Sequence, residues 1–279
     1  YLNAKAGLVY NKAGEDNLAI YKLLDADASD NSFFPLLGLS VGIKESLAKD
    51  FSAVLLAEGS TDAPTIEEQF VLVKKPMGNP TWLGNTNLNV PVKGGIRASF
   101  IYNPFFLELY ATNIWNYVEL SKKTVNGNNY QTYENITAYL LGFNFELNYS
   151  ILNFSASYTY AENSTKGSPL SDIAPLTLKT VITSPEFYGF EVFVRHIYND
   201  AQTRIDLLLG ETSTPQWNRI DLGASYKIKS ITFSIEADNI TNELYYKHLS
   251  YLRNPFSSGM RVLEAGSSFR FNMMFNDLF

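Results

Sequence analysis

A chain of 279 residues is long enough for one large β domain or two smaller ones, and it is 14% aromatic (18 Tyr, 19 Phe) but only 18% charged. The absence of Cys excludes thiolate metal sites, cysteine nucleophiles and disulfides. A net charge of -6 argues against a nucleic-acid partner, which would favour a basic patch, and no apolar run of about 18 residues is present to form a transmembrane helix.

At Tyr1 there is no initiating Met, basic segment or apolar signal, so the chain reads as a fragment that begins inside a strand. From there a period-two alternation predicts twelve strands, over residues 2–11, 36–44, 51–58, 95–102, 106–118, 136–147, 152–161, 176–183, 190–199, 220–226, 231–238 and 269–279. In the first, Leu2, Ala4, Ala6, Leu8 and Tyr10 share a face. In the second, Leu37, Leu39, Val41 and Ile43 oppose Gly38, Ser40, Gly42 and Lys44. Asn103-Pro104 is a tight turn that makes the fourth and fifth strands an antiparallel hairpin. In the last, Phe269, Phe271, Met273 and Phe275 alternate with Ser268, Arg270, Asn272 and Asn276.

Connections alternate as well. Long polar loops are expected after odd strands, near 12–32, 60–91, 119–132, 162–174, 200–216 and 239–266, and short turns after even ones. Short turns at one end and long loops at the other are the asymmetry of outer-membrane barrels.

The faces differ in charge. The apolar face carries no Asp, Glu, Lys or Arg within the strands, its polar exceptions being Asn113, Thr180 and His196. The other face carries Lys5, Lys44, Glu58, Arg97, Glu108, Glu146, Lys179, Glu191, Arg195, Arg219, Asp221, Glu236 and Arg270. Alternation alone leaves open which face is inside. Apolar-out is favoured because twelve strands enclose more volume than these side chains fill, and because the loops are asymmetric. It is favoured also by Tyr10, Tyr102, Trp115, Tyr117, Tyr160 and Tyr198, which lie near strand ends like an aromatic girdle. The near balance of charges on the polar face suits a wall that pairs with itself or with a polar plug rather than an ion-selective pore.

Catalytic and metal motifs are weak. Gly38-Leu39-Ser40-Val41-Gly42 matches the pattern of a nucleophile elbow, but the alternation runs straight through it, whereas the elbow needs a strand-to-helix turn. His196 and His248 are the only histidines, which excludes sites built on several imidazoles. Met77, Met260 and Met274 are dispersed and read as packing rather than as a soft-metal site. His248 lies in the largest C-terminal loop with Tyr245, Tyr246, Tyr251 and Arg253, where ligand contact and packing between loops are both open.

The C-terminal unit adds specificity. Asp238-Asn239-Ile240-Thr241-Asn242-Glu243-Leu244-Tyr245-Tyr246, then Gly259-Met260-Arg261-Val262, Gly266 and a strand ending in Phe279, resembles the C-terminus of TonB-dependent outer-membrane receptors. Ala63-Pro64-Thr65-Ile66-Glu67-Glu68-Gln69-Phe70 and Gly84-Asn85-Thr86-Asn87-Leu88 with Pro91 resemble two further segments of that family, in the family's order. Two positions depart from its pattern: Val92-Lys93 stands where a Glu often follows the proline, and Ser267 replaces a common Arg.

The resemblance implies an all-β, transmembrane, antiparallel up-and-down barrel, these twelve strands being the last twelve of 22, with the plug, the TonB-engaging segment and the first strands outside this chain. The outer edge of the last strand is then unpaired. It implies a receptor in the bacterial outer membrane for energised uptake of a scarce ligand such as a ferric siderophore or another metal complex, with no enzyme activity and no resident cofactor. Its partners are outer-membrane lipid, the TonB complex through the missing N-terminal part, and the barrel-assembly machinery, which would read Phe279. Tyr245, His248, Tyr251 and Arg253 are the candidate ligand contacts. Segments 77–80 and 82–85 look slightly like the family's metal and copper receptors. Two other readings stay open: a complete twelve-stranded barrel of the autotransporter or pore type, and a soluble β-sheet binding protein.

Overall fold

The computed structural model describes residues 1–24, 28–73, 81–125, 127–250 and 261–275. In chain order its elements are β1 (Leu2–Lys12), α1 (Glu15–Leu24), β2 (Asn31–Ala48), β3 (Phe51–Thr61), α2 (Ile66–Phe70), β4 (Leu72–Val73), β5 (Thr81–Leu83), β6 (Val92–Tyr102) and β7 (Phe105–Val125). There follow β8 (Asn128–Tyr149), β9 (Leu152–Asn163), β10 (Ser168–Pro169), β11 (Thr177–Thr183), β12 (Phe190–Asn199), β13 (Trp217–Ile228), β14 (Ile231–Asp238), a 3-10 turn at His248–Ser250 and β15 (Ser268–Phe275).

One meandering sheet contains all twelve expected strands, in the order β1-β2-β3-β6-β7-β8-β9-β11-β12-β13-β14-β15. Each is antiparallel to the next, because the short turns at Asn103–Pro104, Ser150–Ile151 and Lys229–Ser230 reverse the chain directly. Among the described residues β1 and β15 are the two free edges and do not pair with each other, so the sheet is open.

The apolar face is the exposed one. In the central strands Leu55 is 56% exposed, Ile96 59% and Leu109 45%, while Arg97 and Glu108 beside them on the other face are half-buried, the reverse of a face that encloses a soluble core. The charged face instead pairs with itself: Glu58 meets Lys93 and Arg97, and Arg97 meets Glu108. The Gly38–Gly42 segment lies within the uninterrupted β2, so no elbow forms.

The expected loops are more ordered than a polar composition suggests. Residues 12–32 contain α1, and 60–91 contain α2, β4 and β5, with β5 running parallel to β8. Residues 119–132 were expected as a loop but continue the ladder of β7 and β8 as a tall hairpin from Glu119↔Glu134 to Val125↔Asn128. Beyond the apolar band both hairpin faces carry polar residues, so the alternation signal fades while the backbone pairing persists.

A second correction concerns Tyr117. The β7–β8 register shifts between Ile114 and Tyr117, and the extra residue moves the following side chains to the opposite face. Tyr117 therefore leaves the girdle and packs on a cluster of Ile136, Ala138, Ala161 and Leu170. Leu170 and Ile173 come from the loop after β9, which folds back over the polar face and closes this core.

Candidate functional site

The loops after β1, β3, β9 and β14, together with the segment between β12 and β13, gather with the tall β7–β8 hairpin at one end of the sheet. They form two lobes with the hairpin between them.

The first lobe is built from the segments that follow β1 and β3. Thr65 and Glu68 close both halves of a capping box on α2, the Glu68 N–H donating to Thr65 Oγ1 (3.2 Å) and the Thr65 N–H to Glu68 Oε2 (2.7 Å). The Pro64 carbonyl accepts from Asn11 Nδ2 and Gln69 Nε2, tying the segment back to β1. Tyr21 of α1 is buried, donates its hydroxyl to the Val71 carbonyl and accepts from the Gly84 N–H at 3.2 Å. Burial pushes the Tyr21 phenol up to about 12, and the Gly84 bond acts in the opposite sense.

Gly84 is required by packing, since a Cβ there would lie 2.5 Å from the backbone of Gln69. Asn85 Nδ2 donates to the Tyr133 carbonyl on β8, and Tyr133 Oη to Glu67 Oε1. The two stretches that resemble family segments, 63–70 and 84–88, thus fasten this lobe to the hairpin. They leave a polar cleft of about 180 Å³ between Tyr21, Thr86, Ser121, Lys122 and Glu134.

The second lobe rests on the C-terminal unit. Asn239 follows β14 with φ 51, a left-handed conformation that Asn tolerates better than most residues. Its N–H donates to Asp221 Oδ1 (2.8 Å), its Oδ1 accepts from the Glu243 N–H (2.9 Å), and its Nδ2 donates to the carbonyls of Glu243 and Ala265. This one side chain folds the start of the loop against its end.

Below it, Asp221 Oδ2 accepts from Arg195 Nε (2.6 Å) and Arg219 Nη2 (2.9 Å). Arg195 also pairs with Glu236 and Asp238, as does Arg270. Asp221, Glu236 and Asp238 approach one another closely enough to hold a metal ion. Three guanidinium groups already neutralise them, so the cluster is an ion-pair wall across β12–β15.

The side chains expected to meet a ligand fall as follows. Tyr245 is buried, stacks on Trp217 at 4.1 Å and accepts from Arg219 Nη1 (3.2 Å). His248 is buried too, with Nε2 2.8 Å from Glu211 Oε1 and Nδ1 3.1 Å from Thr214 Oγ1. Tyr251, Arg253 and Phe279 lie outside the described residues, as do Met77 and Met260. The structure brings Tyr245 and His248 into one enclosed layer under the loop rather than onto its surface.

Glu211, which carries no sequence signal, organises that layer. Its Oε1 also accepts from the Asp172 N–H (3.0 Å) and its Oε2 from the Asp206 N–H (2.7 Å), so one carboxylate joins the loop after β9, the segment between β12 and β13, and the loop after β14. Arg261 adds a second tie, donating to Thr212 Oγ1 (2.6 Å) and the Ser213 carbonyl (3.2 Å) beneath the Tyr246 ring. Lys122 Nζ, on the hairpin, donates to the Leu208 carbonyl (2.9 Å) and joins the lobe to the central wall.

Residues 10–240 match the family described as TonB dependent receptor-like, beta-barrel. No curated protein sequence matches the chain. Among solved structures, the copper transporter OprC is similar over 88% of this chain and 40% of its own, at 17% identity and a TM-score of 0.73. The siderophore receptor PirA from Acinetobacter baumannii is similar over 89% and 41%, at 14% identity and 0.59. The FrpB iron transporter from Neisseria meningitidis (F5-1 variant) is similar over 98% and 43%, at 10% identity and 0.61. The chain thus spans about two-fifths of the length of the structures it resembles. Its meander of long strands, with the apolar face outward and loops gathered at one end, is the architecture of that family, and the chain belongs to the TonB-dependent receptor β-barrels.

Proposed function

We propose that this chain is the last twelve strands of an outer-membrane receptor that takes up a scarce ligand, a ferric siderophore or another metal complex, with energy supplied through TonB. Family membership combined with the consolidated loop cap at one end of the sheet supports the reading. The apolar face meets lipid, the short turns face the periplasm and the two lobes face outward. The plug and the segment that engages TonB are encoded outside residues 1–279, in keeping with the two-fifths of related structures that the chain spans.

The ligand is captured on the outer surface of the cap. Tyr251 and Arg253 keep the role of contacts, and Tyr245 and His248 act by holding the loop that carries them. Phe279 is the residue read by the barrel-assembly machinery. Copper, siderophore and iron are the ligands named for the three similar structures, and they define the panel to try first.

The test is uptake by the native cell. A strain lacking the gene is expected to lose accumulation of one labelled complex from a panel of ferric siderophores, copper complexes and cobalamin, and to regain it on complementation only when TonB is intact. Unchanged accumulation of every member would overturn the proposal.

A further inference from the structure

Asn113 is an amide on the apolar face of β7, and among the described residues its side chain has no hydrogen-bond partner. His196, another polar residue of that face, is bonded to Asn218. Asn113 stands in a transverse row, Gly59↔Gly94↔Asn113↔Tyr139, across β3, β6, β7 and β8. Glycine weakens a strand interior and marks places where another molecule approaches the backbone. Gly94 leaves room for the Trp115 ring, 3.2 Å from where its Cβ would be, whereas a Cβ on Gly59 would meet only the Lys93 carbonyl, at 3.8 Å. The surface is hollow here: a groove of about 390 Å³ runs between Gly94, Ile96, Ala111, Asn113 and Tyr139, beside another of about 580 Å³ over Leu39, Gly59 and Val92.

The groove lies near the loop end of the apolar band. From Phe105, at the short-turn end of β7, to Asn113 the strand runs about 27 Å, which at a tilt of about 40° is about 20 Å of a band about 25 Å tall. At the same level Tyr139 meets Tyr160, their ring centroids 5.8 Å apart, and the Arg204 guanidinium lies 3.5 Å from the Tyr160 centroid. Glu162, the ladder partner of Tyr139, approaches Arg204 only to 3.9 Å. A ring and a distant carboxylate thus hold this guanidinium, and among the described residues none of its N–H groups is spent on a hydrogen bond.

We propose that a lipopolysaccharide of the outer leaflet is seated here: an acyl chain lies in the groove over Gly59 and Gly94, the amide and 3-hydroxyl at its root bond to Asn113, and a headgroup phosphate meets Arg204. The inference rests on the reading that the loops face outward, which puts this level in the outer leaflet. The chemistry selects the occupant. A carboxamide both donates and accepts, and an amide-linked 3-hydroxyacyl chain answers both, whereas the esters of a glycerophospholipid only accept and leave the Asn113 oxygen unpaired. An amide that faces hydrocarbon without a partner is costly. Tyr160, on which Arg204 rests, is two strands from Asn113, about 10 Å, so the phosphate and the acyl root are read by separate parts of one surface.

The experiment uses the full-length protein extracted from native outer membrane in detergent and passed through size exclusion, with retained lipid identified by mass spectrometry of its 3-hydroxy fatty acids. The parent is expected to keep bound lipopolysaccharide. Asn113→Leu, Arg204→Gln and Gly59→Leu, which fills the groove without a backbone clash, are each expected to cut retention by about fivefold or more. Val194→Leu, on the same face outside the groove, is expected to keep it. Heat-modifiable gel mobility shows that each variant is folded, and insertion of the parent into phospholipid vesicles tests the membrane reading by itself. A parent that does not insert overturns both readings, whereas one that inserts and retains lipopolysaccharide no better than the three variants overturns only the site. Glycerophospholipid retained in its place, or a dimer that the variants dissociate, would also overturn the inference.

Discussion

Glu211 Oε1 and His248 Nε2 meet at 2.8 Å in a layer closed to solvent, joining two segments that are 37 residues apart. Glu211 receives two further backbone donors and His248 one hydroxyl, so the two ends of the contact are not equivalent. Replacing Glu211 by Ala strands the Asp172 and Asp206 N–H groups as well as the imidazole. It is expected to cost about 3–5 kcal/mol, against about 1–3 kcal/mol for His248→Ala. Limited proteolysis checks the order: residues 200–216 of Glu211→Ala are cleaved first. Equal cleavage of both variants would show that His248 carries the contact alone.

Gly84→Ala drives a methyl into the Gln69 backbone, which cannot rotate away as a side chain would. A loss of at least about 1–3 kcal/mol is expected. Gly14→Ala, with nothing within 4 Å of the added carbon, is the matched control. Melting temperatures of the folded, detergent-solubilised protein distinguish the two.

Arg195 contacts Asp221, Glu236 and Asp238 at once, and the Asp221 carboxylate is fully enclosed. Arg195→Ala leaves that charge short of a partner and is expected to cost about 3–5 kcal/mol. Arg195→Ala combined with Asp221→Asn is expected to recover part of the loss. Denaturant midpoints of the three proteins test whether the wall works by charge compensation, and no recovery would point to packing instead.

Tyr21 carries a pH signature. Its phenol is raised from an ordinary 10 to about 12 because burial disfavours the phenolate. A group raised on folding contributes stability that is complete below pH 10 and is lost as the pH climbs through 12. The parent is therefore expected to lose protection of α1 and of the backbone at residues 71–73 and 81–84 between pH 10 and 12, as loss of the hydroxyl proton removes the donor to the Val71 carbonyl. Tyr21→Phe, already weaker by about 1–3 kcal/mol at neutral pH, is expected to show no such transition in hydrogen exchange.

Val194 lies on the exposed apolar face, paired with Leu222. Val194→Arg is expected to cost about 2–4 kcal/mol in a bilayer and far less in a detergent micelle that relaxes around the charge. Folding titrations in lipid vesicles measure this, and a negligible penalty would mean that this face does not meet hydrocarbon.

The sequence determined the strands, their order and the chemistry of each face, because a side-chain period of two is a local property of a ladder that is buried on neither side alike. Ile231 to Asp238 and Phe190 to Asn199 were legible to the residue for that reason. The stretches 63–70, 84–88 and 238–246 were legible as family segments, though only the structure gives them their work as caps and fasteners. Past the apolar band the signal stops, and the tall hairpin of β7 and β8 has polar residues on both faces, so nothing marks its ladder.

The tertiary structure alone decided the rest. One bulge near Asn116 turned Tyr117 from the girdle to the interior, an effect of a single extra residue that no composition records. Tyr245 and His248 read as loop residues for which ligand contact and packing between loops are both open, and in the structure they are enclosed by Trp217, Glu211 and Thr214, partners at least 28 residues away. Burial of a loop side chain depends on where other loops return, and those returns are set by hydrogen bonds to Glu211, Asp221 and Asn239 that close only when the strands beneath them are already in register.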